Sequence, residues 1–294
     1  MIGGRRAATN AIVVALAVGL GFGLRSPDAS RADSPGEAAR LASLWSAIAA
    51  ADGALERLAA LLEDAIDHAR RGSARTVAGE APEPELSAAA DIALAGADTA
   101  NGARRALIDL GGTAAAVAPG TSVGAISFDG TEVQLIAAQL TASAEAATLF
   151  VERRHATEAV VEALADGLAA LDRDDPRAAL ESLAAAEAPL ALLAAWAERP
   201  PLLRHWMAIS GDLLDAARDI ATATIDRDPV AVEEAAERYA TASEAAQGAD
   251  NALAFALSEA GSAVSATPLQ RLARAAGEVG ELRAALLSLP QPAS

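Results

Sequence analysis

The sequence has no cysteine and no lysine, three histidines, and aromatic residues at only 3 %. Without a thiol there is no disulfide framework, no Cys-ligated zinc, no iron–sulfur cluster and no thiol nucleophile. Three histidines leave little room for a multi-His metal site. Few aromatics, with little Val and Ile, argue against a β-sandwich or barrel. The 40 acidic residues outnumber 23 basic ones, for a net charge of −17. Such a chain is a poor nucleic-acid binder, because phosphate contacts need clustered Lys and Arg. A GC-rich coding sequence, which favours Ala, Arg, Gly, Asp and Glu codons, accounts for the missing lysine. No P-loop occurs.

What the chain has instead is alanine, roughly 80 residues of it, far above average usage. Alanine is the best helix former and a weak hydrophobe. The mean hydropathy of +0.24 is therefore mostly an alanine effect and not the mark of a multispanning membrane protein.

The N-terminus has the form of an export or anchor segment. Arg5 and Arg6 precede 18 uncharged residues, Ala7 to Leu24, and Arg25 ends the run. A polar linker through Pro35 follows. This is the basic and then apolar order of a secretory signal, and it just reaches transmembrane length. Pro27 disfavours cleavage after Ser26, so an uncleaved single-pass anchor is expected, with cleavage near Ala32 and secretion as the alternative. The weak positive-inside bias puts the N-terminus in the cytoplasm and the body outside. Without residues 1–32, which carry four Arg and Asp28, the body has 19 basic and 39 acidic residues and a net charge of −20.

The body, residues 33–294, reads as long helices. Ser34-Pro35-Gly36-Glu37 joins an N-cap, a proline at the first helical position and a capping glutamate. Thr131 and Thr267 look like further caps, and Asp175-Pro176 and Asp228-Pro229 are caps followed by proline. In the first helix, expected from Pro35 to about Arg71, Leu41, Ile48, Leu55, Leu62 and Ala69 fall at seven-residue steps. Leu44, Ala51, Leu58 and Ala65 interleave with them, as in a bundle or coiled-coil seam. Gly72-Ser73 is expected to end that helix, with a Pro/Glu linker through Pro84. Gly96, Gly102, Gly111 and Gly112 predict a broken or kinked helix over 85–118. Residues 119–130 read as a loop, extended over 123–128. The next long helix carries a stripe of Val161, Leu164, Leu168 and Leu171. Helices over 201–226, 229 to about 260 and 268–289 complete the chain. Any internal domain boundary is expected within 73–130. Leu171-Asp172-Arg173-Asp174-Asp175-Pro176 matches Ile225-Asp226-Arg227-Asp228-Pro229 with one residue deleted. Two copies do not make a solenoid; a good helix–helix turn used twice accounts for them.

The fold class expected is all-α: an antiparallel bundle of long, alanine-rich amphipathic helices behind one N-terminal apolar helix. Chemistry-bearing residues are sparse. Glu152-x-x-His155 puts two ligands on one helix face, the spacing that di-metal bundles use twice. Asp64 and His68, at i and i+4, are the nearest second half. His155 also sits beside Glu158 and Glu162 on the polar side of its helix, and a solvated face with Glu–His contacts is the favoured reading over a metal site. Trp196, His205 and Trp206 mark one corner, read as core packing or as a patch for a protein partner. No catalytic residue and no cofactor is expected, and an enzyme is not the favoured class. The expected partners are the lipid bilayer through the N-terminal segment, and another protein or a second copy of the chain. The expected role is structural or interaction-based, outside the cytoplasm. The alternative is a small-molecule or metal-binding bundle using Glu152 and His155.

Overall fold

A computed structural model describes residues 35–117, 119–196 and 201–288. The apolar run 7–24 and the Ser34 cap lie outside the described residues. Those residues form eight α-helices and no strand: α1 Pro35–Ala78, α2 Glu83–Val117, α3 Gly130–Asp172, α4 Pro176–Ala184, α5 Glu187–Ala194, α6 Pro201–Asp226, α7 Pro229–Ala263 and α8 Ala266–Leu287. None of these helices is long and apolar enough to cross a membrane. The chain divides into two compact units. One takes the chain up to Arg71, Pro84–Ser143 and everything from Ser265; the other takes Gly72–Glu83 and Ala144–Val264.

In the first unit, α1, α2, the start of α3 and α8 share one core. The seven-residue seam of α1 is buried as spaced, from Leu44, Ile48 and Ala51 to Leu62, Ala65 and Ala69; only Leu41 is half-buried. Helix α2 is unbroken despite its four glycines. Each glycine costs up to about 1 kcal/mol of helix propensity. The continuous buried face of Leu86, Ala93, Ala100, Leu107 and Leu110 offsets that loss, since packing supplies most of a helix's stability. Residues 119–129 form a loop without strand pairing, and Ile126 and Phe128 fill the core. The cap of α3 is Asp129, not Thr131: its Oδ1 accepts from the amides of Thr131 (2.9 Å) and Glu132 (3.1 Å). Thr267 is likewise not a cap, because α8 already starts at Ala266, behind Ser265. Arg283 of α8 ties down α1 through Asp52 and Glu56, both at 3.0 Å.

The second unit holds the end of α1, the rest of α3, and α4 to α7. Helix α1 passes Gly72 and reaches Ala78, so the expected linker shrinks to a four-residue turn. Gly79, at φ +79°, ends the helix, and the Glu80 amide returns to the Arg75 carbonyl at 2.9 Å. That 6→1 bond with a left-handed residue is the Schellman ending. The two matched sequence segments make the same joint. Asp174 (φ 61°) and Arg227 (φ 56°) take the left-handed position. The amides of Asp175 and Asp228 reach back five residues, to Ala170 (3.0 Å) and Ala223 (2.9 Å). Each aspartate side chain then caps the following helix, on Ala178 in α4 and on Val230 and Ala231 in α7. One residue thus closes one helix and opens the next. The apolar stretch after Pro176 is split at Ala184, because Pro189 has no amide to continue the ladder and its ring would meet the carbonyl four residues back.

The buried face of α3 here differs from the expected stripe. Val161 is 51 % exposed, and Val160, Ala163 and Ala170 are buried instead. Gly167 explains the rotation: a Cβ on it would lie 2.6 Å from the Leu183 side chain. The small face is where α4 sits down on α3, and Leu164 and Leu168 flank the contact half-buried.

Candidate functional site

Asp64, His68 and Arg71 lie one to two turns apart near the end of the α1 portion in the first unit, facing the start of α2. There they meet Glu85, a residue that sequence spacing does not single out. His68 Nδ1 is 2.8 Å from Glu85 Oε2, and Arg71 Nε donates to the same oxygen at 2.9 Å. Asp64 Oδ1 stands 3.8 Å from His68 Nε2. The Arg71 hydrogen bond, then that of His68, holds the Glu85 carboxyl below its ordinary range. The shared Glu85 carboxylate thus joins α1 to α2 through an arginine and a histidine, and both histidine nitrogens already face an acid.

Glu152 and His155 are in the second unit. Glu152 is exposed. His155 Nε2 is 2.9 Å from the carbonyl oxygen of Gly79, and Arg154 of α3 donates to the carbonyl of Val77. The last carbonyls of a helix have no partner within it and carry the negative end of its dipole. His155 and Arg154 therefore cap the C-terminus of α1, which leaves only Nδ1 of His155 for any other ligand. Arg218 does the same for α4, bonding the Leu183 carbonyl at 3.2 Å and Glu187 at 3.0 Å. The four metal candidates are not gathered within either unit. Among the described residues, no group of three or more His, Asp or Glu could hold a metal ion.

The tryptophan corner resolves into three different environments. Trp206, in the second turn of α6, is 2 % exposed, and its Nε1 donates to Asp250 of α7 at 2.7 Å. An indole N–H that is buried needs such an acceptor. Trp196 is half-buried, with the Arg153 guanidinium 4.5 Å from its ring centroid, within cation–π range. His205 is exposed on α6. Exposed surface at this corner thus comes from His205, Arg153 and the outer part of Trp196, and not from Trp206.

Comparison with known protein families, curated proteins and solved structures finds no match to this chain. Function must then be read from the chain itself. The partners that the sequence did not reveal, Glu85, Arg154, Asp250 and Glu278, lie 14 to 151 residues from the groups they bind outside their own helices. Glu278 of α8 takes the Ser127 amide (3.0 Å) and hydroxyl (2.8 Å), pinning the loop before α3. Burial alone would raise the Glu278 carboxyl, but the Ser127 bonds and Arg274 outweigh it and hold it below its ordinary range. Glu85, Arg154 and Asp250 each join one helix to another, and Glu278 joins a helix to a loop. None forms a nucleophile–base pair.

Proposed function

We propose that this protein is an extracytoplasmic helical-bundle protein, anchored by its N-terminal segment or released after cleavage near Ala32, with a structural or protein-interaction role. In this reading the body is an antiparallel bundle behind one N-terminal apolar helix that inserts in the bilayer. The observation that carries it is the order Arg5-Arg6, 18 uncharged residues, polar linker, and then a helical body of net charge −20. Only the first segment has a composition suited to a bilayer core. Polar groups spent on helix ends and helix–helix joints support a binding or structural role over a catalytic one.

Fractionation of cells producing the full chain, with N-terminal sequencing of the mature protein, tests this. Recovery in the membrane fraction with an intact Met1, and digestion of the body by protease added to spheroplasts, is expected for the anchor. A mature N-terminus near residue 33 in the medium or periplasm is expected for the secreted form. Intact chain in the soluble cytoplasmic fraction would overturn both.

A further inference from the structure

In the first unit, an open groove of about 400 Å³ runs between α1 and α2, lined by Ala50, Ala54 and Arg57 of the one and Asp98, Thr99, Gly102 and Ala106 of the other. The volume is at the small end of the range for small-molecule sites. Its floor is methyl groups and a bare glycine; its polar groups are one cation, one anion and one hydroxyl. Arg57 and Asp98 line the same groove, yet they do not pair with each other. Neither has an ion-pair or hydrogen-bond partner among the described residues. Some arginines of this unit do find acids, as Arg71, Arg104 and Arg283 do, whereas Arg105 bonds only the Asn101 carbonyl. Thr99 is unusual too. Seven other helical threonines, Thr113 and Thr141 among them, donate to the carbonyl four residues back. The Thr99 hydroxyl makes no such bond and stays free at the groove.

We propose that this groove binds a small aliphatic zwitterion of amino-acid size. Its carboxylate sits on Arg57, whose planar fork suits a carboxylate. Its ammonium donates to Asp98 and to the Thr99 hydroxyl, and its aliphatic body lies on Ala50, Ala54 and Ala106. The lining sums to zero charge. A simple anion would face Asp98 and a simple cation would face Arg57, whereas a molecule bearing both charges meets a partner for each. The proposal is independent of the N-terminal segment and of where the protein resides.

The test is ligand-observed NMR (saturation transfer) on the full-length chain with L-leucine as probe. N-acetyl-L-leucine amide, which lacks both charges, is the control. Gly102→Leu is the key variant. A Cβ at Gly102 has nothing within 4 Å, so a larger side chain can start into the groove without a clash at its base, and leucine favours the helix over glycine. Helicity by circular dichroism should be unchanged. Leucine binding is expected to fall at least about tenfold in Gly102→Leu, Arg57→Gln and Asp98→Asn, and the amide should give no signal. No leucine signal up to about 10 mM, binding that survives Gly102→Leu, or equal binding of the amide would overturn the proposal. Loss in only one of the two charge variants would also overturn it, since a site for a single charge is then sufficient.

Discussion

Nε2 of His155 lies 2.9 Å from the carbonyl oxygen of Gly79, the left-handed residue that ends α1. The side chain that sequence spacing marks as a metal ligand thus closes a helix. His155→Ala is expected to lower stability by about 0.5–1 kcal/mol, the net worth of an ordinary hydrogen bond. It should also leave the response of the melting temperature to added zinc unchanged. A zinc-induced rise in wild-type Tm that the variant abolishes would show that His155 is a ligand after all.

Gly79 and Gly248 should respond in opposite directions to the same change. At Gly79, φ is +79° and a Cβ would lie 3.1 Å from Arg154 Nε. Gly79→Ala is expected to destabilise by about 1–2 kcal/mol. Gly248 is inside α7 with nothing near a new Cβ, so Gly248→Ala should stabilise by about 0.5–1 kcal/mol. Urea unfolding midpoints measure both.

The paired joints make a similar prediction. Arg227 occupies a left-handed position that suits glycine, and Arg227→Gly is expected to raise stability by about 0.5 kcal/mol. Asp228→Ala, which removes the cap on Val230 and Ala231, should cost about 1 kcal/mol. If Asp228→Ala is neutral in thermal unfolding, the capping account of this joint fails.

Trp206 and Trp196 should differ as core and rim. Trp206→Ala empties a buried site and orphans Asp250, for an expected loss of about 3–5 kcal/mol. A double-mutant cycle on Arg153 and Trp196 should give a coupling of about 0.5–1 kcal/mol. A larger loss at Trp196 than at Trp206 would contradict the burial difference.

Acid should loosen the first unit. Glu85, Asp129 and Glu278 all have carboxyls held below their ordinary values. For Asp129 the first cause is the Glu132 amide, then that of Thr131 with the Arg104 charge, against the pull of burial. Groups depressed in the folded state contribute stability above their unfolded values, and lose it as pH falls through the folded ones. Urea midpoints should therefore stay level with respect to these groups down to about pH 5 and fall below it. Glu85→Gln and Glu278→Gln should each flatten part of that fall. An unchanged slope in both variants would place the acid sensitivity elsewhere.

The sequence displayed what neighbours along the chain decide. Alanine content and a seven-residue spacing specify helices and the buried face of α1. Aspartate before proline specifies the starts of α4 and α7, because the cap and the locked proline φ act within four residues. The same local logic misplaced the cap of α3, since Asp129 and Thr131 both look suitable and only the backbone path selects between them. It also broke α2 at glycines and ended α1 at Gly72, because propensity counts a glycine's cost and cannot see the packing that offsets it.

The sequence by itself therefore determined the helical class, most helix starts, the alanine-lined seams and the charge of the body. Tertiary structure alone decided that α1 runs on to Ala78, that α3 turns Gly167 and not Val161 toward its neighbour, and that His155, Arg154 and Arg218 close helix ends. The physical reason is separation: Arg154 and Val77 are 77 residues apart, Ser127 and Glu278 are 151 apart. No local pattern encodes which carbonyl or carboxylate a long arginine or a histidine will find once the helices pack.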